Sequence, residues 1–346
     1  MAEELTLTEQ RHQWSIRPYR QGDEGRILEL FHRGFRKERS LAHWQWKFRD
    51  NPEGAHIHVV ETVAGEIVGH YAGIPVRVTV DGKAFIFSQL VDTMVDRDYR
   101  RGLKKPGMFA HLFMKFAEDY GGHDRAAIMY GFPTPEALRI GQRLLGYTPL
   151  HRMVKLVRPL GKPPHRTPWQ QIADMLHQVQ VRIRQVARFD ALVDRLWEEC
   201  RRELRVATVR DARYLNWRYA DCPDVKYRLF MAEGIMGTSP QGIAVLRLDS
   251  LGQGVGYLMD WLVPLRAKVA ADQLLKRSLE EAELAGLKEL HAWLPPFSPW
   301  HQYLLDRGFQ VVDAKYFLVA RTFTPDLPLE FINPRWYYTM GDSDIY

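Results

Sequence analysis

The chain has 346 residues, 46% hydrophobic and 26% charged, with 48 lysines and arginines against 42 acidic residues for a formal charge of +6. That length exceeds the usual span of one hydrophobic core and favours two domains, and the composition excludes a disordered or fibrous chain. No apolar stretch approaches the roughly 18 residues of a membrane span. The acidic start Met1-Ala-Glu-Glu lacks a signal-peptide pattern, and the two cysteines, Cys200 and Cys222, supply no disulfide framework, so a reducing, cytoplasmic setting is expected.

In chain order, a short strand (Trp14 to Pro18) precedes a helix that starts at Gly22-Asp23 and carries Ile27, Leu28, Leu30 and Phe31 on one face. A second short helix holds Trp44 and Trp46 and ends near Pro52. Strands are expected at His56 to Thr62, at Ile67 to Val80 with a bend at Pro75, and at Ala84 to Val95 after an Asp81-Gly82 turn. His56 and His58 alternate on their strand, and a solvent-facing pair is expected there rather than a metal site. A long helix, Met108 to Tyr120, leads to a strand at Ala126 to Tyr130. The helix Pro135 to Leu145 stops at Gly146, and a strand at Arg152 to Leu156 follows. The order predicts an α/β (α+β) fold, a mixed twisted sheet flanked by helices.

The same pattern is then written again. Trp44-Gln-Trp46-Lys-Phe48-Arg-Asp50-Asn-Pro52 recurs as Leu215-Asn-Trp217-Arg-Tyr219-Ala-Asp221-Cys-Pro223, an offset of 171 (217 minus 46). Leu90-Val-Asp92 matches Leu258-Met-Asp260, Gly146-Tyr147 matches Gly308-Phe309, and Met153 to Arg158 matches Tyr316 to Arg321. Such a series, in one order and with slowly drifting offsets, marks a duplication. The expected domains are 1–158 and 177–324, joined by a proline-rich linker and helix at 159–176 and followed by an aromatic tail at 325–346. The tail, with Trp336, Tyr337 and Tyr338, is expected to pack across the domain junction or to line the site.

Positive charge concentrates where the strand ending at Val95 gives way to the long helix. Tyr99 to Gly107 supplies Arg100, Arg101, Lys104, Lys105 and two glycines, Gly102 and Gly107, ahead of Met108 and Phe109. Cationic side chains, close-approaching backbone and a helix N-terminus together suit a diphosphate. A Walker A reading fails, because Met108-Phe109 stands where Lys-Ser/Thr is required. The second copy has Pro264-Leu-Arg266-Ala-Lys-Val instead, without glycine, and cannot form such a cradle.

The element order, with Val91-Asp92-Thr93-Met94-Val95 running into Tyr99-Arg100-Arg101 and then Gly107-Met108-Phe109, resembles the GNAT acyltransferases, well over about 12–158 and more loosely over 177–322. The resemblance implies two tandem GNAT-like domains and an N-acyltransferase that moves an acetyl or related acyl group from acetyl-CoA, or another acyl-CoA, to a small-molecule or peptide amine. It implies a cofactor site of Met94, Val95, Arg100, Arg101, Gly102, Lys104, Gly107, Met108 and Phe109, with the backbone N–H of Met94 or Val95 facing the oxyanion. Asp92, at the strand end against the thioester, becomes the candidate base. Where the family carries an acidic tyrosine this chain has Gln142, so Tyr130 or Tyr147 becomes the candidate acid. The second domain reads as a degenerate partner, with Trp293, Trp300, His301 and Tyr303 as core or as an acceptor-pocket lining. Alternatives of other classes are aminoacyl transfer from charged tRNA and a non-catalytic CoA-binding protein.

Overall fold

The computed structural model describes residues 13–100, 107–161, 181–234, 239–248 and 253–345. These fall into two compact units. The first takes the described residues up to Arg77 together with 85–151 and 315–329; the second takes 78–84, 152–314 and 330–346. The linker expected at 159–176 lies largely outside the described residues.

The first unit opens with β1 (Trp14–Pro18) and helix α1 (Glu24–Phe35), with Asp23 at its N-cap position. Ile27, Leu30 and Phe31 are its buried face, as the 3.6-residue spacing dictates. A short helix, α2 (Leu41–Trp44), runs on into one π-helical turn at Gln45–Arg49. Then come β2 (His56–Thr62), β3 (Ile67–Val80), β4 (Lys83–Val95), α3 (Met108–Tyr120), β5 (Ala126–Gly131) and α4 (Pro135–Leu144). β3 runs unbroken through Pro75 as one strand of 14 residues, pairing with β2 up to Gly73 and with β8 from Val78, and the Pro75 carbonyl accepts from Asn51 Nδ2 at 3.0 Å. The Asp81-Gly82 turn does form, with φ of +46° and +81° at its two residues.

Helix α3 buries Met108, Leu112, Phe113 and Phe116 against Val60, Val68, Tyr71 and Met129 of the sheet. His56 and His58 face this helix and not solvent. His58 is fully buried with Nε2 2.9 Å from Asp119, and the His56 ring stacks on Tyr120.

The second unit repeats the order: β7 (Val181–Val186), α5 (Ala191–Cys200), β8 (Val206–Thr208), α6 (Ala212–Leu215) with a π-helical turn at Asn216–Ala220, β9 (Tyr227–Gly234), β10 (Pro240–Arg247), β11 (Val255–Leu262), α7 (Lys268–Leu284), β12 (Glu289–Ala292) and α8 (Pro299–Leu305). The rare π-helical turn falls at the same place in both copies, 171 residues apart (216 minus 45), as the sequence repeat requires.

The sheets depart from the expected boundaries in one respect. In the first, the strand order is β1-β2-β3-β4-β5, completed by β13 (Gln310–Thr322), which comes from the second copy. In the second the order is β7-β9-β10-β11-β12, completed by β6 (Thr148–Pro159), which comes from the first. Both final strands pair antiparallel, Val319–Thr322 with Gly131–Ile128 and Leu156–Pro159 with Ala292–Glu289. The exchange is symmetric in detail. Gly146 (φ +67°) lies under Arg321 of β13, and Gly308 (φ +86°) under Arg158 of β6, the same pair of repeat positions in each unit. The tail belongs to the second unit: Trp336–Tyr337 forms β14 beside β8, and Trp336, Tyr337 and Tyr338 are buried.

Charge ties the opening of the first unit together. Arg17 on β1 bonds Asp23 and Glu61 at 2.7 Å each, and Arg26 on α1 bonds the same two carboxylates at 2.5 and 2.8 Å. The Arg17 hydrogen bond is the main reason that Glu61 is pulled from 4.5 to about 2. Because the folded-state value lies below the ordinary one, this stabilisation is complete above about pH 4.5 and disappears as the pH falls toward 2. Glu61→Gln should therefore lower stability at pH 7 and flatten the loss between pH 4.5 and 2, read from urea unfolding across that range. A wild-type curve of unchanged slope in the variant would contradict it.

Candidate functional site

In the first unit β4 and β5 run parallel from Ile86 opposite Ala126 to Gln89 opposite Tyr130. β4 then continues to Val95, so its last residues part from β5. Parallel strands that part at their C-terminal ends leave a wedge lined by main-chain N–H and C=O groups, a common place for ligands in α/β sheets. Asp92 sits in the parting segment with φ +49°, a left-handed residue inside a strand. Aspartate tolerates that conformation better than most residues because it has a short polar side chain.

Three side chains hold the distortion. His70 Nδ1–H donates to the Asp92 carbonyl at 2.8 Å. The Asp92 carboxylate accepts from both terminal nitrogens of Arg39 and from Lys47 Nζ at 3.2 Å. Burial by itself would raise the Asp92 carboxyl, but Lys47 and Arg39 outweigh it and hold the group far below the usual carboxylate range. His70, wholly buried, is pushed down by desolvation and stays neutral. A carboxylate so firmly ionised is a weak proton acceptor, which speaks against the expectation that Asp92 acts as a base.

Past Asp92, Met94 and Val95 are buried, and the Val95 carbonyl accepts from Arg100 Nε at 2.8 Å. Arg100 is thereby brought against the parting strand. Gly107 is the N-cap of α3 and has no side chain to cap it. Among the described residues the first-turn N–H groups have no capping side chain, at the end where the helix dipole favours an anion. Met108 is buried, and Phe109 is half-buried with its ring 6.0 Å from that of Tyr71. Arg101, Gly102 and Lys104 lie outside the described residues.

Tyr130 lies on the last paired rung of β5, buried, with its ring edge-on to Phe132. The Tyr147 hydroxyl is 2.6 Å from that of Tyr71, and both phenols are raised by burial. Gln142 is exposed on α4.

The second unit has the same parting of strands. β11 pairs with β12 only from Val255 to Leu258 and then runs on to Leu262. Here the wedge is occupied by the protein itself. Trp300 Nε1–H donates to the Val263 carbonyl at 3.0 Å, and the Leu265 N–H, just before α7, donates to Glu203 at 2.9 Å. A small cavity remains, lined by Cys200, Glu203, Trp261, Val263, Ser298 and Trp300. An acidic side chain stands where a phosphate would need positive charge. Trp293, His301 and Tyr303 are core residues, with His301 bonded to the Leu294 carbonyl and Tyr303 to Asp272.

Motif reading does not single out Arg39, which stands in a polar stretch, or Lys47, which lies between the aromatic residues Trp46 and Phe48 of the repeated segment. The signal that finds them is the repeat, since the offset of 171 pairs them with Arg210 and Arg218 (210 minus 39, 218 minus 47), and Arg210 Nε bonds Asp260 at 2.8 Å. Among the described residues no cluster of three potential metal ligands occurs, and no helix is long and apolar enough to cross a membrane.

Asparagine also tolerates a left-handed φ, so Asp92→Asn removes charge while keeping the backbone. It should cost about 3 kcal/mol of stability in urea unfolding, the usual result of leaving buried cations without their carboxylate. Unaltered stability would show that Asp92 is not the anchor of this segment.

Comparison with known proteins agrees with this geometry. Residues 15–142 match the family model described as an acetyltransferase (GNAT) domain. No curated protein sequence matches the chain. Among solved structures, a protein of unknown function from Enterococcus faecalis V583, described as a probable N-acyltransferase, aligns with TM-score 0.65 and 12% identity over 92% of this chain and 74% of its own. A GCN5-related N-acetyltransferase from Kribbella flavida aligns with TM-score 0.59 and 16% identity over 90% and 71%. Saccharomyces cerevisiae N-myristoyltransferase with bound myristoyl-CoA and inhibitors aligns with TM-score 0.55 and 12% identity over 90% and 80%. At these identities the likeness is one of fold.

Proposed function

We propose that this chain, whose residues 15–142 match the GNAT acetyltransferase domain model, is an acyl-CoA-dependent N-acyltransferase with its cofactor held by the first unit. The observation that carries the reading is the wedge past Gln89 and Tyr130, with Arg100 on one side and the uncapped start of α3 beside it. Bound acyl-CoA supplies an acyl group activated as a thioester, open to attack by a neutral amine.

The residues present fit that group. The N–H groups of Gly107, Met108 and Phe109, with Arg100, Arg101, Gly102 and Lys104, are the proposed diphosphate contacts. The main-chain N–H of Met94 or Val95 is the proposed donor to the thioester oxygen, aimed by the left-handed backbone at Asp92. Asp92 we assign as a positioning residue: it holds Arg39 and Lys47 and keeps the strand parted, while water accepts the amine proton. Tyr130, on the last paired rung, is the proposed proton donor to the departing thiolate. The acyl chain is acetyl or a related group, and the acceptor is a small-molecule or peptide amine.

Titration calorimetry with CoA tests this directly. Wild type should bind, and Arg100→Glu with Lys104→Glu should weaken binding by at least about tenfold, since each reversal sets a like charge against the diphosphate. Thiol release from acetyl-CoA and myristoyl-CoA with an amine panel then reports the transfer itself. No CoA binding at millimolar ligand would sink the proposal, and binding without thiol release from either donor would mark a non-catalytic binding protein.

A further inference from the structure

In both units an arginine at the same repeat position bonds the strand carboxylate, Arg39 to Asp92 through its two terminal nitrogens and Arg210 to Asp260 through Nε, and the remaining donors are spent differently. The repeat pairs Arg39 with Arg210, Ser40 with Asp211 and Phe48 with Tyr219, all at the offset of 171 (211 minus 40). Structure supports the pairing, since Ser40 and Asp211 each cap the following helix by accepting from the N–H three residues on.

In the second unit Arg210 is fully buried. Its Nε bonds Asp260, its Nη1 the Thr208 carbonyl at 3.1 Å, and its Nη2 both Thr339 Oγ1 at 3.2 Å and the Asp342 carboxylate at 2.5 Å. Arg218 adds bonds to the carbonyls of Gly341 and Ser343 at 3.0 Å each. Thus Arg210 and Arg218 grip the peptide Thr339–Ser343 through one acidic side chain and two main-chain carbonyls.

In the first unit the corresponding guanidinium, Arg39, faces one carboxylate and not two. Its two terminal nitrogens bond Asp92 and its plane lies 3.9 Å over the Phe31 ring, and these are its contacts among the described residues. A guanidinium has five N–H donors, so three have no hydrogen-bond partner among the described residues. The Arg39 side chain keeps 13% exposure where Arg210 has none. Phe35 and Leu41, on either side of it in the chain, are exposed large apolar side chains.

We propose that Arg39 is an anion-recognition residue of the acceptor site, taking the carboxylate of an acidic peptide at the place where Arg210 holds the chain's own Asp342. In calling that peptide the acceptor, this rests on the acyltransfer reading; the recognition itself does not. The second unit carries its peptide built in, and the first takes one from solution.

The probe is the peptide Thr-Met-Gly-Asp-Ser, blocked at both ends and fluorescently labelled, titrated with the full chain and read by anisotropy. Saturable binding is expected. Replacing the peptide's aspartate by asparagine, or introducing Arg39→Gln, should weaken it about tenfold or more, the usual consequence of losing a charged hydrogen bond. Absence of saturable binding, equal binding of the two peptides, or undiminished binding by a folded Arg39→Gln chain would each overturn the proposal. Should that variant fail to fold, the aspartate–asparagine comparison on wild type decides alone. The readout needs no cofactor, so its failure and the failure of CoA binding are separate results.

Discussion

A carboxylate buried at a strand distortion is the constraint from which this architecture follows. A sheet of parallel and antiparallel strands has no reason to part unless one strand is bent out of register and kept so. In the first unit the bend is Asp92, with a left-handed backbone that most residues resist. Burying its charge would be costly without partners, and two cations, Arg39 and Lys47, answer that cost. Those cations must come from somewhere rigid, and they come from the cap and the π-helical turn of the segment around Trp44 and Trp46. The repeated tryptophan segment is thus the support of the wedge. In the second unit the same segment supplies Arg210 to Asp260, and Tyr219 replaces the lysine as its second partner, donating at 2.9 Å.

From a shared frame the two units diverge in what occupies the opening. The second fills it with Trp300, Glu203 and its own tail; the first surrounds it with Arg100 and an uncapped helix start. Filling with indole and tyrosine adds apolar burial, with the N–H of Trp300 and the hydroxyl of Tyr337 each satisfied by a main-chain carbonyl. That is how a core is built. The first unit instead places charge and helix-start N–H groups at the opening, which is what the proposed cofactor site requires.

Much of this was legible in the sequence. The helix at Met108–Tyr120, the turn at Asp81-Gly82 and the stop at Gly146 follow from local chemistry, and the structure has all three. The duplication was visible because tryptophans and prolines at one offset are hard to mistake. What was not legible is tertiary. β6 and β13 are equivalent strands of a repeat, so either could complete either sheet, and no local signal tells which. Likewise the histidines of β2 read as solvent-facing because alternation gives the face but not what covers it; α3 covers it. Asp92 was located correctly at the strand end, yet its two cations, 45 and 53 residues away in the chain, change it from a plausible base to an ionised anchor.

The central claim is that one frame was written twice and only the first copy kept a cofactor site. Native mass spectrometry of the full chain with CoA, followed by hydrogen exchange of the complex, tests it most directly. The account predicts one CoA per chain, with slowed exchange at Met94 to Phe109 and no change at Val263 to Lys268. Two CoA molecules, none, or protection confined to the second segment would contradict it.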